Sequence, residues 1–236
     1  MDTLEQVAHT WLGGDGFKYL VDGFQSSLRD RGSSYLDHIQ VHLATCALLA
    51  ERHGHPWWVT KVRVFDWGAN EESNSNQHGH EVLRSDLIPA MFQSTPTMGF
   101  AILRSLNHTM AAIHTRTEYF AVDGLDHERQ EFKPLARSAM QQFEMLGFPK
   151  RPTTFDKPWQ QKDNTSCGYH VLHFLHHVLF RCEGCEASDF TGGYHPPEQA
   201  ELGKEWANFA GVLDRIIAKN FGVAFQVAIG VNTRMI

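Results

Sequence analysis

The chain has no apolar run long enough to cross a bilayer as a helix, which takes about 18 to 20 residues in succession. Its most apolar stretch near an end, Gly222 to Val231, is short and interrupted by Gln226. The opening Met1-Asp2-Thr3-Leu4-Glu5 lacks the basic start and apolar run of a secretory leader. Positive charge is in short supply: 21 Lys and Arg stand against 27 Asp and Glu, a formal net of −6. Such a balance gives no general attraction for phosphate backbones, so no nucleic-acid partner is expected, and no membrane. Cysteine is sparse as well. Four thiols in 236 residues (Cys46, Cys167, Cys182, Cys185) make no disulfide framework, and each is weighed as core, metal ligand or nucleophile. Internal repeats and low-complexity tracts are missing. The expectation is a monomeric intracellular protein, cytoplasmic or nuclear.

What is present fits one large domain, 1–236, with 1–30 as an N-terminal helical extension. Apolar residues recur at helical spacing over 3–12 and again from Leu36 through Ile39, Leu43, Cys46, Ala47 and Ala50. Trp57 to Trp67 alternates and reads as a strand, 68–80 as a polar loop, and 81–93 as a helix. Three strand-like runs follow at 99–103, 108–113 and 118–122. A helix is predicted over 132–147, a Pro-containing loop over 149–166, and a helix over 168–180. A Gly/Pro-rich loop at 183–200, a helix at 201–219 and a terminal strand at 223–231 complete the chain. Helices and strands mix without a regular βαβ rhythm, which points to α+β with a central, mostly antiparallel sheet flanked by helices.

Chemistry concentrates around Cys167. It follows a polar loop and opens an apolar helix, and the positive potential of a helix N-terminus favours a thiolate. Gly168 leaves room beside it for another backbone. Upstream, His108 to Asp123 reads as a hairpin with its turn at His114–Thr117. If Ile113 pairs with Glu118, then His108 lies opposite Asp123, where a carboxylate can fix an imidazole tautomer. Acyl transfer also needs donors for a developing oxyanion; the backbone N–H of Cys167 and the Gln161 side chain, six residues upstream, are the candidates. Singly, each residue has a plainer reading: a buried structural thiol, a loop histidine, a turn former before Gly124, a solvated loop amide. Their combination is what points to nucleophilic catalysis. A zinc site can be drawn from Cys182-Glu183-Gly184-Cys185 with His173 and His177, but a lone C-x-x-C reads better as a turn with incidental cysteines. His170, His173 and His177 read as a polar helix stripe. Neither metal nor cofactor is expected.

In this chain order, His108…Asp123…Gln161-x5-Cys167-Gly168 resembles the Ulp/SENP-type, adenovirus-protease-like cysteine proteases specific for ubiquitin-like proteins. Gln160-Gln161-Lys162-Asp163-Asn164-Thr165-Ser166-Cys167-Gly168 is similar to that family's Gln-Gln-x-Asn-x-x-Asp-Cys-Gly. Tyr119-Phe120-Ala121-Val122-Asp123-Gly124-Leu125 is similar to its Tyr-Tyr-Asp-Ser-Leu. Tyr35-Leu36-Asp37-His38-Ile39 resembles its Trp-Leu-Asn-Asp helix opening, and Lys61-Val62-Arg63-Val64-Phe65 the strand after it. The resemblance spans roughly residues 33 to 180.

What it implies is a papain-like cysteine protease fold of the adenain/Ulp type and a peptidase, deubiquitinase or deSUMOylase-like, without cofactor. The enzyme would cleave after the C-terminal Gly-Gly of ubiquitin, SUMO or a NEDD8-type modifier, with the modifier and its conjugates as partners. By the same resemblance Cys167 is nucleophile, His108 general base, Asp123 its orienter and Gln161 the oxyanion donor, while Tyr35, Thr109 and Gly168 border the Gly-Gly channel. Thr109 and Tyr35 stand where the family has Trp, Gly124 where it has Ser, and Ser166 where it has Asp. These departures fall on the channel walls and not on the triad. Two other enzymes fit the same His–acid–Cys order: an acetyltransferase using acetyl-CoA, as in bacterial effectors delivered into host cells, and a viral-type maturation protease. The acetyltransferase group needs a basic patch for a polyphosphate activator, and no dense basic cluster is present.

Overall fold

The structure is a computed structural model. It describes residues 36, 41, 44–45, 47–48, 51–52, 62–68, 79–81, 98–105, 108–124, 132–145, 148–156, 158–163, 165–184, 186–198 and 202–232. Six strands form one sheet: β1 (Val62–Gly68), β2 (Gly79–Glu81), β3 (Met98–Ser105), β4 (His108–His114), β5 (Tyr119–Val122) and β6 (Thr153–Asp156). Their spatial order is β2-β1-β3-β4-β5-β6. The helices are α1 (Phe132–Met145), α2 (Cys167–Arg181), the short α3 (Ala187–Thr191) and the long α4 (Leu202–Asn232). Positions 41, 44, 45, 47 and 48, within the predicted 36–50 helix, are helical too, as is position 51 just past its end.

The architecture is α+β, and the sheet is mixed. β2–β1, β3–β4 and β4–β5 pair antiparallel, while β1–β3 and β5–β6 pair parallel. The centre of the sheet is buried on both faces, which is why β4 and β5 are apolar or small almost throughout and show no inside–outside alternation. One face, carrying Phe100, Ile102, Ala111, Ile113, Phe120 and Val122, shares a core with apolar residues of α2 and α4 and with Leu36, Val41, Ala44, Ala47 and Leu48. The opposite face, with Ala101, Leu103, Met110, Ala112 and Ala121, packs on Ala136, Ala139, Met140 and Phe143 of α1. Three layers result, and the two sides of each central strand belong to different cores.

Several expectations need correction. The region read as a loop over 149–166 contains β6, which lies parallel to β5. Gly79–Glu81, placed between a loop and a helix, is instead a strand on β1. The 183–200 loop holds α3, closed by a capping box between Glu186 and Asp189. The predicted terminal strand at 223–231 is helix, because α4 continues to Asn232. Extending an established helix fixes one residue per hydrogen bond, and each interior glycine costs only about 1 kcal/mol, so Gly222 does not end it. The predicted helix over 3–12, the 1–30 extension and 82–93 lie outside the described residues. Among the described residues, no helix is long and apolar enough to cross a membrane.

Candidate active site

The β4–β5 hairpin builds the first half of the site. Its register pairs Ala111 with Val122 and His114 with Tyr119, two residues away from the predicted pairing. The turn lies at 115–118, one residue further along than the predicted 114–117. Thr115 N–H donates to the Glu118 carbonyl (2.8 Å), and Thr115 Oγ1 accepts from the N–H of Thr117 (3.3 Å) and of Glu118 (3.0 Å). A threonine side chain thus makes the turn that glycine usually marks. A shift of two conserves the side-chain face, so His108 and Asp123 become diagonal neighbours instead of direct opposites. They meet: His108 Nε2 lies 2.7 Å from Asp123 Oδ1, and both residues are buried, 5 % and 2 % exposed.

The second half comes from α2, which begins at Cys167 itself, one residue ahead of the predicted 168–180 helix. Its thiol is 2 % exposed and hydrogen-bonds to the same His108 ring. With Nε2 engaged by Asp123, Nδ1 is the ring nitrogen left for sulfur. Burial opposes charge on this imidazole. The hydrogen bonds to Asp123 and then Cys167, with the charges behind them, overcome that and raise His108 to about 9. At neutral pH the ring is therefore an imidazolium wedged between a carboxylate and a sulfur.

The strand that positions Asp123 is tied to the loop that leads to Cys167. Gln161 N–H donates to the Gly124 carbonyl (2.8 Å). The Trp159 indole lies flush against Gly124, where a Cβ would collide with it and crowd Gln161 Cβ. Gln161, 6 % exposed, donates its side-chain amide to the Asp163 carbonyl (2.9 Å), and its Oε1 is buried without a partner. Asp163 then accepts from the N–H groups of Thr165 (2.8 Å) and Ser166 (2.7 Å) and from the Ser166 hydroxyl (2.7 Å). Burial by itself would raise the Asp163 carboxyl, but these donors and nearby His170 hold it below its ordinary value.

The remaining predicted residues divide. Thr109 is 1 % exposed beside His108, and its hydroxyl is buried without a hydrogen bond. The room left by Gly168 is filled by Leu36 and Val41, whose atoms would lie 3.1 and 3.2 Å from an added Cβ; the glycine serves helix packing there. Tyr35 lies outside the described residues. The stripe read as a polar face is buried in aromatic surroundings. His170, 2 % exposed, stacks on Trp159 at 5.6 Å and meets Trp206 edge-on at 4.8 Å. His173 bonds the Tyr194 hydroxyl through Nδ1 (2.9 Å), and with His176 and His177 it lines a separate cleft of about 460 Å³ between α2 and α4. Cys182 donates its thiol to the Asp189 carbonyl (3.2 Å), and burial pushes that thiol up to about 12. Among the described residues, no group of three His, Cys, Asp or Glu is placed to hold a metal.

Sequence reasoning missed Asp163 and Trp159. The first carried a signal, an Asp two and three residues ahead of the amides it accepts from, the spacing of an Asx turn. The second carried none, because a Trp in a polar loop does not say what it covers. Compared with known proteins, the chain matches no protein-family model and no curated protein.

Proposed function

We propose that the protein is a cysteine peptidase of the papain-like, adenain/Ulp type, acting after the C-terminal Gly-Gly of ubiquitin or a ubiquitin-like modifier. One observation carries this reading: a single buried imidazole joins the Asp123 carboxylate (2.7 Å) to a thiol at the start of a 15-residue helix. Charge on that ring stabilises a thiolate beside it, the nucleophilic form. The sulfur attacks the carbonyl carbon of the terminal glycine. The tetrahedral oxyanion takes hydrogen bonds from the Cys167 N–H and the Gln161 amide. His108 donates its proton to the departing amine, the C–N bond breaks, and a thioester remains. Water then gives a proton back to His108 and attacks the thioester, releasing the modifier's carboxylate and the free enzyme. Asp123 holds the ring in register throughout. The near-complete burial of Cys167 supports a narrow approach, which a tail of two glycines fits and larger side chains do not.

The test uses ubiquitin, SUMO and a NEDD8-type modifier, each carrying a C-terminal electrophile. One of them is expected to form a covalent adduct that Cys167→Ala abolishes, seen as a mass increase of the whole chain. Failure of all three, together with transfer of acetyl from acetyl-CoA to Ser, Thr or Lys, would overturn the reading in favour of an acetyltransferase.

A further inference from the structure

We infer that Asp163 is a positioning residue for the oxyanion hole, its carboxylate folding the 161–166 turn so that the Gln161 amide and the Cys167 N–H converge. This rests on the proposed peptidase reading. The geometry is specific. One carboxylate oxygen gathers the N–H groups of Thr165 (2.8 Å) and Ser166 (2.7 Å), the two amides immediately before the nucleophile. The other oxygen takes the Ser166 hydroxyl (2.7 Å). Ser166 is the N-cap of α2, yet its side chain makes no cap bond to the helix. It is turned back to Asp163 instead. The Asp163 carbonyl holds the Gln161 side-chain nitrogen (2.9 Å). That nitrogen also lies 3.5 Å from the Asp163 carboxylate, so both of its contacts fall on Asp163 and fix the plane of the amide.

A carboxylate near a developing oxyanion would ordinarily repel it. Here three short hydrogen bonds and two longer ones, from the Gln161 amide and the Thr165 hydroxyl (both 3.5 Å), take up that charge, and Asp163 acts through the turn it folds and not through its field. Preorganised donors matter because they cost no reorganisation when charge develops, and removing one from such a hole costs about 100- to 1000-fold in rate. Loosening a turn that holds two of them should cost somewhat less.

The experiment separates this role from folding and from thiolate formation. Wild type, Asp163→Ala, Asp163→Asn and Ser166→Ala are compared in two reactions. The first is hydrolysis of an acyl-Gly-Gly-aminocoumarin amide, whose transition state carries an oxyanion. The second is alkylation of Cys167 by iodoacetamide, which needs the thiolate and develops no oxyanion. Asp163→Ala is expected to lower kcat about 10- to 100-fold with KM within about twofold, and to leave alkylation within about twofold of wild type. Asp163→Asn keeps one acceptor oxygen and should recover about tenfold of the loss; Ser166→Ala, missing one of the three short bonds, should lose about two- to fivefold. A kcat in Asp163→Ala within twofold of wild type overturns the inference. So does a parallel fall in kcat and alkylation, which would place the effect on the fold or the thiolate. If Asp163→Ala does not fold, Asp163→Asn and Ser166→Ala decide alone, and no separation of the two reactions in either overturns it. A wild type that alkylates at Cys167 but hydrolyses none of the substrate is a distinct result. It removes the peptidase reading first, and the positioning role with it.

Discussion

The His108 ring meets the Asp123 carboxylate through Nε2 and bonds the Cys167 thiol as well, and these two partners set the site's acid–base behaviour. The ring is charged below about 9 and neutral above it. Acylation needs the charged ring, which donates a proton to the leaving amine, so activity should fall as pH rises through about 9. Asp123→Asn removes the strongest influence raising the ring. The alkaline limb should therefore move to lower pH, and kcat at pH 8 should drop by about 100-fold or more, following the precedent of a carboxylate lost behind a catalytic imidazole. A pH–rate profile of both proteins checks this. An alkaline limb that stays in place in Asp123→Asn would mean that the carboxylate does not control the imidazole. The thiol was the more legible partner, since a polar loop running into an apolar helix fixes a residue at the helix start from sequence alone.

At the scale of elements, the hairpin and the 158–166 loop lock together at Gly124. A methyl group there has nowhere to go, because the Trp159 indole occupies its place and Gln161 Cβ stands 3.0 Å away. Gly124→Ala should cost about 1–3 kcal/mol of stability, the usual range for overpacking, measured as a lowered urea midpoint at constant m. It should also reduce kcat, since the displaced loop carries Gln161. By contrast Thr115→Val conserves shape and removes a hydroxyl that accepts from the Thr117 and Glu118 amides and makes longer bonds to the Glu118 carbonyl (3.3 Å) and the Thr117 hydroxyl (3.4 Å), so a loss of about 1 kcal/mol or somewhat more is expected. The same elements show how far sequence could be read. Strands β3 to β5 and helices α1 and α2 were visible within a few residues, because the chain there is uniformly apolar or strictly periodic. The register was not. Glycine-free turns give no marker, and Thr115 supplied a turn through its hydroxyl; the site survived the error only because a two-residue shift keeps His108 and Asp123 on one face. Strand β6 was hidden for another reason: Thr153–Asp156 is four residues long, follows Pro152, and becomes a strand only by lying against β5. The end of α4 misled because Val223, Phe225, Val227, Ile229 and Val231 alternate like a strand while the helix preceding them simply continues.

Over the whole molecule, the two kinds of histidine act on stability in opposite directions. His108 has a folded value above the ordinary 6.5, so its contribution is complete below 6.5 and is lost as pH rises through about 9. His170, His173 and His176 are driven the other way, each to about 4, first of all by burial. The unfolded chain takes up protons at these rings before the folded one does. Their contribution is therefore present above 6.5 and drains away as pH falls towards 4. Stability should peak near neutrality, with an acid limb set by the α2 histidines. Asp163 enters only lower, because a carboxyl held below its ordinary 3.8 begins to lose its contribution under that value. His170 isolates the acid effect. Both its ring nitrogens are buried without a hydrogen-bond partner, and its surroundings are the rings of Trp159 and Trp206, so a phenyl ring loses no bond there. His170→Phe should leave stability at pH 7 within about 1 kcal/mol of wild type, as near-isosteric core exchanges do. Between pH 7 and 4.5 it should lose about 2 kcal/mol less than wild type, the scale of a shift of this size. Urea midpoints taken every half unit from pH 4.5 to 9.5 make the comparison. An acid limb that is the same in both proteins would show that His170 is not held neutral by its burial, and that the protons destabilising the fold bind elsewhere.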